Sequence, residues 1–245
     1  MSSSPPSQTL RVWDFPTRTF HWLLVAAIAV AFLSSEEDSA LAAWHQAAGW
    51  LAAVLILFRL VWGFVGGEHA RFADFLRPGR LAAHLSVMLR GRPEAELGHN
   101  PLGGLAVAAL LGLVAATVAT GLIMLRGGED DLHEVIGYGL LALIGVHVLA
   151  VVVMSLMTRE NLIRAMVTGR KPADRHPGAQ NARPAPLFAL PLAALVVAAG
   201  VYGATLVDPL AFLPHNRAEV GEGGGHAAAG ALERREAGET EDEDD

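Results

Sequence analysis

The sequence contains no cysteine, and this one absence removes disulfides, iron–sulfur clusters, thiolate zinc sites and covalently attached c-type haem. Histidine is left as the only strong soft-metal ligand. No HExxH pattern occurs, so an intramembrane zinc hydrolase lacks its usual signature. A concentrated basic surface of the kind nucleic acid requires is also missing. The formal net charge is -7, yet residues 208–245 alone hold eleven acidic and three basic residues, which leaves the rest of the chain near neutrality. What the chain has in excess is apolar residues, 52% of the total, with a mean hydropathy of +0.38. They come in long runs, too hydrophobic for an ordinary soluble domain.

Five segments are apolar enough to span a bilayer: 20–36, 41–66, 102–125, 132–157 and 187–207. A span needs roughly 20 residues. The first is short enough to be mistaken for a signal-peptide core, but no clear small-x-small cleavage site follows it. Orientation follows from Lys and Arg in the short connections. The N-terminus (Arg11, Arg18), the 68–100 connection (Arg71, Arg77, Arg80, Arg90, Arg92) and the 158–186 connection (Arg159, Arg164, Arg170, Lys171, Arg175, Arg183) carry the basic residues. The 34–40 and 126–131 connections hold only Arg126, beside Glu36, Glu37, Asp38, Glu129, Asp130 and Asp131. The N-terminus is therefore expected in the cytoplasm of a bacterial cell, with the chain multi-pass in its inner (plasma) membrane. Five spans put the C-terminal tail in the periplasm. Trp22, Trp44 and Trp62 fall near the expected membrane boundaries.

The segments Phe72 to Leu89 and Leu162 to Val167 mix apolar residues with arginines, as helices lying along the inner membrane surface do. Residues 172–186 hold four prolines and read as an irregular linker. The expected organisation is a membrane domain over 1–171, that linker, an additional span over 187–207, and an acidic tail over 208–245, Gly-, Ala- and Glu-rich from Glu219 and expected to be disordered.

Four histidines carry the chemistry. His133 and His147 lie fourteen residues apart on the fourth apolar segment, about 40° apart around a helix and roughly 21 Å along it. His21 sits at the inner entrance of the first segment, at the depth of His147. His45 sits just inside the outer end of the second, at the depth of His133. Ionisable side chains within membrane spans are costly and mark functional sites. Two histidines at each of two depths suit two haems, each ligated axially from two neighbouring helices. Both outer histidines are followed one turn on by glycine, in His45-x-x-x-Gly49 and His133-x-x-x-Gly137, which clears room for a porphyrin. Arg59, fourteen residues after His45, falls on nearly the same face at the inner depth and suits a haem propionate. The plainer readings are an interhelical hydrogen bond for each histidine and a snorkelling side chain for Arg59. His99 reads as a loop residue capping the third span, and His69, His84, His176, His215 and His226 carry no assigned role.

RVWDFPTRTFHW (11–22), WHQAAGW (44–50), LFRLVWGFVGGEHARFADFLRPGR (57–80), GHNPLGG (98–104), HEVIGYGLLALIGVHV (133–148) and SLMTRENLIRAMVTGRK (155–171) occur in that order. With them the chain resembles the bacterial cytochrome b561 family, related to the cytochrome b subunits of nickel–iron hydrogenases. The resemblance implies an all-α, four-helix transmembrane bundle with two b-type haems, held by residues corresponding to His21, His45, His133 and His147. It also implies electron transfer between membrane quinones and a redox protein such as a c-type cytochrome. The fifth span and the acidic tail depart from the minimal four-helix pattern. The function expected is transmembrane electron transfer through two haem b groups, linking a quinone/quinol pool to a redox partner, with quinol oxidoreductase activity as the associated catalysis. Its rivals are a haem-containing anchor subunit of a larger, hydrogenase-like oxidoreductase and a transporter with histidine proton relays. Membrane lipid is an expected partner; nucleic acid is not.

Overall fold

The computed structural model describes residues 8–36, 38–75 and 96–215. Glu37, the surface segment from residue 76 to Leu89, Arg77, Arg80, Arg90, Arg92, His84, His226 and the acidic tail from residue 216 onward lie outside the described residues. Among the described residues, five helices are long and apolar enough to cross a membrane. They are α1 (Phe15–Leu33), α2 (His45–Val65, preceded by a 3-10 turn), α4 (Pro101–Met124), α5 (Asp131–Thr158) and α7 (Ala189–Val207). Two short helices, α3 (Phe72–Phe75) and α6 (Leu162–Thr168), lie between them.

Local chemistry sets the boundaries. The Asp14 carboxylate accepts from the Thr17 backbone N–H at 2.8 Å, and Pro16 sits in the first turn, so α1 starts well before the apolar run that begins at residue 20. Asn100 caps α4 in the same way through Gly103 N–H, ahead of Pro101. α5 stops where Arg159 turns left-handed (φ 55°). Gly169 (φ 76°) ends α6, where a Cβ would press on the Trp13 carbonyl oxygen.

α2 is the hub, packing against α1, α4 and α7. α5 packs along α4 and makes at most marginal backbone contact with α1 or α2, which leaves a cleft between those pairs. A layer of Ala52, Ile56, Val114 and Leu140, backed by Leu24 and Ile28, fills the middle of the bundle. The fifth span lies on α2 through small residues: Ala189 and Ala193 beside Trp62, Gly200 beside Leu57, and Ala204 beside Trp50. Its far end is tied down by Asp208, whose carboxylate accepts from Gln46 Nε2 (2.8 Å) and Trp50 Nε1 (2.9 Å).

The arginine-rich side carries structure that periodicity could not reveal. Strands β1 (Thr9–Arg11) and β2 (Arg170–Pro172) pair antiparallel, with Arg11 opposite Arg170. The supposedly irregular 172–186 linker thus begins as a strand residue and a 3-10 turn. It also contributes the buried His176, whose Nε2 lies 2.8 Å from Glu160 Oε1. Lys171 Nζ lies 3.3 Å from the other oxygen of the same buried carboxylate and donates to the Glu96 carbonyl. These contacts fasten the end of α5 to the ribbon.

His99 is no surface cap; that role belongs to Asn100. Its ring packs on Trp13 (4.6 Å between centroids) and Phe75 (5.0 Å), and its Nδ1 has no hydrogen-bond partner among the described residues. Burial, reinforced by the positive charges of Arg59 and Lys171, pushes its pKa down to about 3 from 6.5. The unfolded chain therefore takes up a proton at this residue before the folded one does. Its contribution to stability is complete above pH 6.5 and is lost as pH falls towards 3, at up to about 1.4 kcal/mol per pH unit. Denaturant titrations in detergent across that range should show this slope in the native protein and a shallower one in His99→Phe.

Candidate functional site

The cleft holds two groups of polar residues, one on either side of the apolar middle layer. At the acidic-loop end, His45 opens α2 and donates from Nδ1 to the Ala31 carbonyl of α1 at 2.9 Å. His133, in the first turn of α5, has its Nδ1 at 3.0 Å from Thr120 Oγ1 on α4. The Thr120 hydroxyl proton is directed at a carbonyl of its own helix, Ala116 or Thr117 at 3.0 Å, so Thr120 accepts from the imidazole. Both rings are thereby held with the proton on Nδ1, and Nε2 is left with a lone pair. The two ring centroids are 6.1 Å apart at an interplanar angle of 75°.

Space around this pair matches the glycine pattern. A Cβ on Gly49 or Gly137 would meet nothing within 4 Å, and one on Gly121 would come within 3.3 Å of the His133 ring. Four helices converge here: α1 and α4 supply the acceptors, α2 and α5 the imidazoles. The Ala31 and Thr120 acceptors were not identified from the sequence. A backbone carbonyl leaves no signal there. Thr120 could have been found as a hydroxyl in an otherwise apolar span.

At the arginine-rich end, His21 lies in the second turn of α1 and His147 in the second half of α5, both half-buried. The two imidazoles are within electrostatic reach of each other. Arg59 is 3% exposed. Its guanidinium sits 4.9 Å from the Phe72 ring centroid and 6.0 Å from that of Phe20, and its Nη1 has no partner among the described residues. It does not snorkel to water. A buried guanidinium N–H without an acceptor is costly, and an anionic oxygen is the group that would satisfy it.

The structure thus brings His45 together with His133, and His21, Arg59 and His147 lie on the other side of the layer that contains Leu140, midway between the α5 histidines. Among the described residues no group of three or more His, Asp or Glu side chains could hold a bare metal ion. Two imidazoles at one level suit a metal that brings its own equatorial ligands.

The family model described as prokaryotic cytochrome b561 matches residues 12–169. A probable Ni/Fe-hydrogenase B-type cytochrome subunit of Bradyrhizobium diazoefficiens is 25% identical, covering 66% of this chain and 86% of its own. The protein of the same description from Azotobacter vinelandii is 29% identical over 64% of this chain and 86% of its own. A probable Ni/Fe-hydrogenase 1 B-type cytochrome subunit of Escherichia coli K12 is 29% identical over 44% and 55%. No solved structure matches the chain. With the family model covering well over half of the sequence and every histidine of the cleft, the chain belongs to the prokaryotic cytochrome b561 family and is a multi-pass membrane protein of haem-b electron transfer.

Proposed function

We propose that the chain holds two haem b groups, one between His45 and His133 and one between His21 and His147. Through them it links the quinone/quinol pool to a redox partner such as a c-type cytochrome. The observation that carries this reading is the outer imidazole pair. Metal-bound histidines typically donate their other ring N–H to a carbonyl or similar acceptor, and both do so here. The two ring centroids stand 6.1 Å apart, a separation that would leave room for one metal ion between them. The unpartnered, buried Arg59 Nη1 suits a propionate, a bidentate partner for guanidinium. When bound, haem would supply an iron that exchanges single electrons reversibly, and His45, His133, His21 and His147 would supply the nitrogens that hold it.

The reading also assigns residues 1–171 as the di-haem unit and places the arginine-rich side in the cytoplasm and the acidic loops in the periplasm of a bacterial inner membrane. The excess of arginine on one side supports that orientation. A second reading, a haem-containing anchor subunit of a larger oxidoreductase, is favoured by the hydrogenase-subunit descriptions of the relatives. Adding quinol to the purified protein separates the two. Haem reduction by quinol alone supports the first, and reduction only when a partner enzyme is present supports the second.

Substitution tests the ligands. His45→Ala or His133→Ala should reduce the haem-to-protein ratio from two to about one and leave the spectrum of the inner haem, with His21→Ala or His147→Ala doing the reverse; two unaltered bis-histidine signals after any of these changes exclude the assignment. Arg59→Leu removes a positive charge from one level only, so a redox titration should find the midpoint of the inner haem lowered more than that of the outer. On the opposite side, Glu36, Asp38, Glu129, Asp130 and Asp131 form an acidic rim suited to a basic soluble cytochrome. Transfer to such a protein should slow steeply as salt is added, and neutralising Glu129, Asp130 and Asp131 should flatten that dependence.

A further inference from the structure

On the arginine-rich side a cavity of about 430 Å³ opens where α1 begins, α2 ends and α7 begins, walled on its polar side by the β1–β2 ribbon. It is distinct from the histidine cleft. Four of its lining residues are Arg11, Arg18, Arg170 and Arg183. Among the described residues of the lining, the acidic ones are Asp14 and Glu68, and both are committed within the protein. The Asp14 carboxylate accepts from the backbone of Thr17 and Gly67 and from Trp62 Nε1, and Glu68 accepts from the Arg183 backbone at 2.9 Å and pairs with its guanidinium at 3.5 Å. The wall therefore carries a net positive charge.

The register of the ribbon sharpens the point. Arg11 and Arg170 are directly opposite each other across the antiparallel pair, both exposed. Like charges in that position destabilise a ribbon. Among the described residues their guanidiniums donate to neutral acceptors, the Ala182 carbonyl for Arg11 and the Thr9 hydroxyl for Arg170, which leaves most of the five donors on each for an anion. At the membrane edge of the same cavity stand Phe15 (70% exposed), Leu187 (98%) and Leu190 (58%), apolar side chains with no protein cover. Cationic wall, apolar lip and a position at the ends of three spans describe one kind of ligand.

We propose that this cavity is a binding site for a single anionic phospholipid, its phosphate held among Arg11, Arg18, Arg170 and Arg183 and its acyl chain laid along Phe15, Leu187 and Leu190. Basic pockets at the ends of membrane helices on the cytoplasmic side recognise such headgroups. The lipid relieves the repulsion between the facing arginines and covers the apolar lip. In doing so it ties the ribbon, and with it the ends of α1 and α7, to the bilayer.

The test is native mass spectrometry of the full-length protein released from nanodiscs containing equal amounts of phosphatidylglycerol and phosphatidylcholine. The native protein should retain one phosphatidylglycerol in preference to phosphatidylcholine. The Arg11→Gln, Arg183→Gln double variant should lose that preference roughly 30-fold, and Leu187→Gln should weaken retention. Arg164→Gln, which removes an exposed arginine outside the cavity, should change nothing. Arg183→Gln alone serves if the double variant does not fold. Equal retention of the two lipids by the native protein overturns the proposal. So does a loss in Arg164→Gln as large as in the double variant, which reports a diffuse basic surface, or a thermal stabilisation by inorganic phosphate equal to that by the lipid, which reports a free anion.

Discussion

An imidazole in the interior of a membrane bundle must have each polar nitrogen satisfied, and much of this fold follows from how that requirement is met at His45 and His133. Hydrocarbon offers no hydrogen bonds, so each Nδ1–H must find an acceptor on a neighbouring helix. His45 takes the Ala31 carbonyl and His133 the Thr120 hydroxyl. These two bonds fasten α2 to α1 and α5 to α4, the two pairs that flank the cleft, and they leave the opposite nitrogen of each ring without its proton. The same contacts therefore orient the rings and assemble the helices. A plain interhelical hydrogen bond and a ligand held by its outer acceptor are one arrangement seen from two sides.

The two ends of the bundle are finished by different physics. On the acidic side the loops are short and the helices meet through Asp208, which brings the fifth span against the residues beside His45. On the arginine-rich side polar groups are buried in number. Asp14 caps α1 and reaches Trp62 and the Gly67 backbone, and Glu160 gathers Lys171 and His176. Breaking one member of such a group leaves a buried charge uncompensated, which costs far more than the intact group contributes. This makes the ribbon and the linker a rigid base under His21, Arg59 and His147. The fifth span, which carries no histidine, rests on α2 and is a brace for the hub.

Sequence reading reached far at the histidines and stopped at their supports. A period of fourteen residues is a statement about helix geometry, and depth can be counted along a span, so His21, His45, His133, His147 and Arg59 were legible as two levels. Length and composition made all five spans legible, to within a few residues except at the start of α1, where the Asp14 and Pro16 cap lies in a polar stretch that hydropathy passes over. The ribbon was not legible: Thr9–Arg11 and Arg170–Pro172 are three residues each, too short for alternation to register, and their pairing joins the two ends of the family-matched region. In the sequence His99 reads as a loop residue in its turn and His176 carries no role because it lies outside the spans, while their burial depends on Trp13, Phe75 and Glu160, which are remote in the chain.

By itself the sequence determined a multi-pass all-helical membrane protein with imidazoles at two depths, because span length and helical periodicity are local properties that each segment carries alone. Tertiary structure decided which nitrogen of His45 and His133 is free, that Arg59 is buried against Phe20 and Phe72 and does not reach water, and that Arg11 faces Arg170 beside an apolar lip. Each of these depends on groups brought together from distant segments. Only packing settles where an acceptor, an aromatic face or a like charge comes to stand.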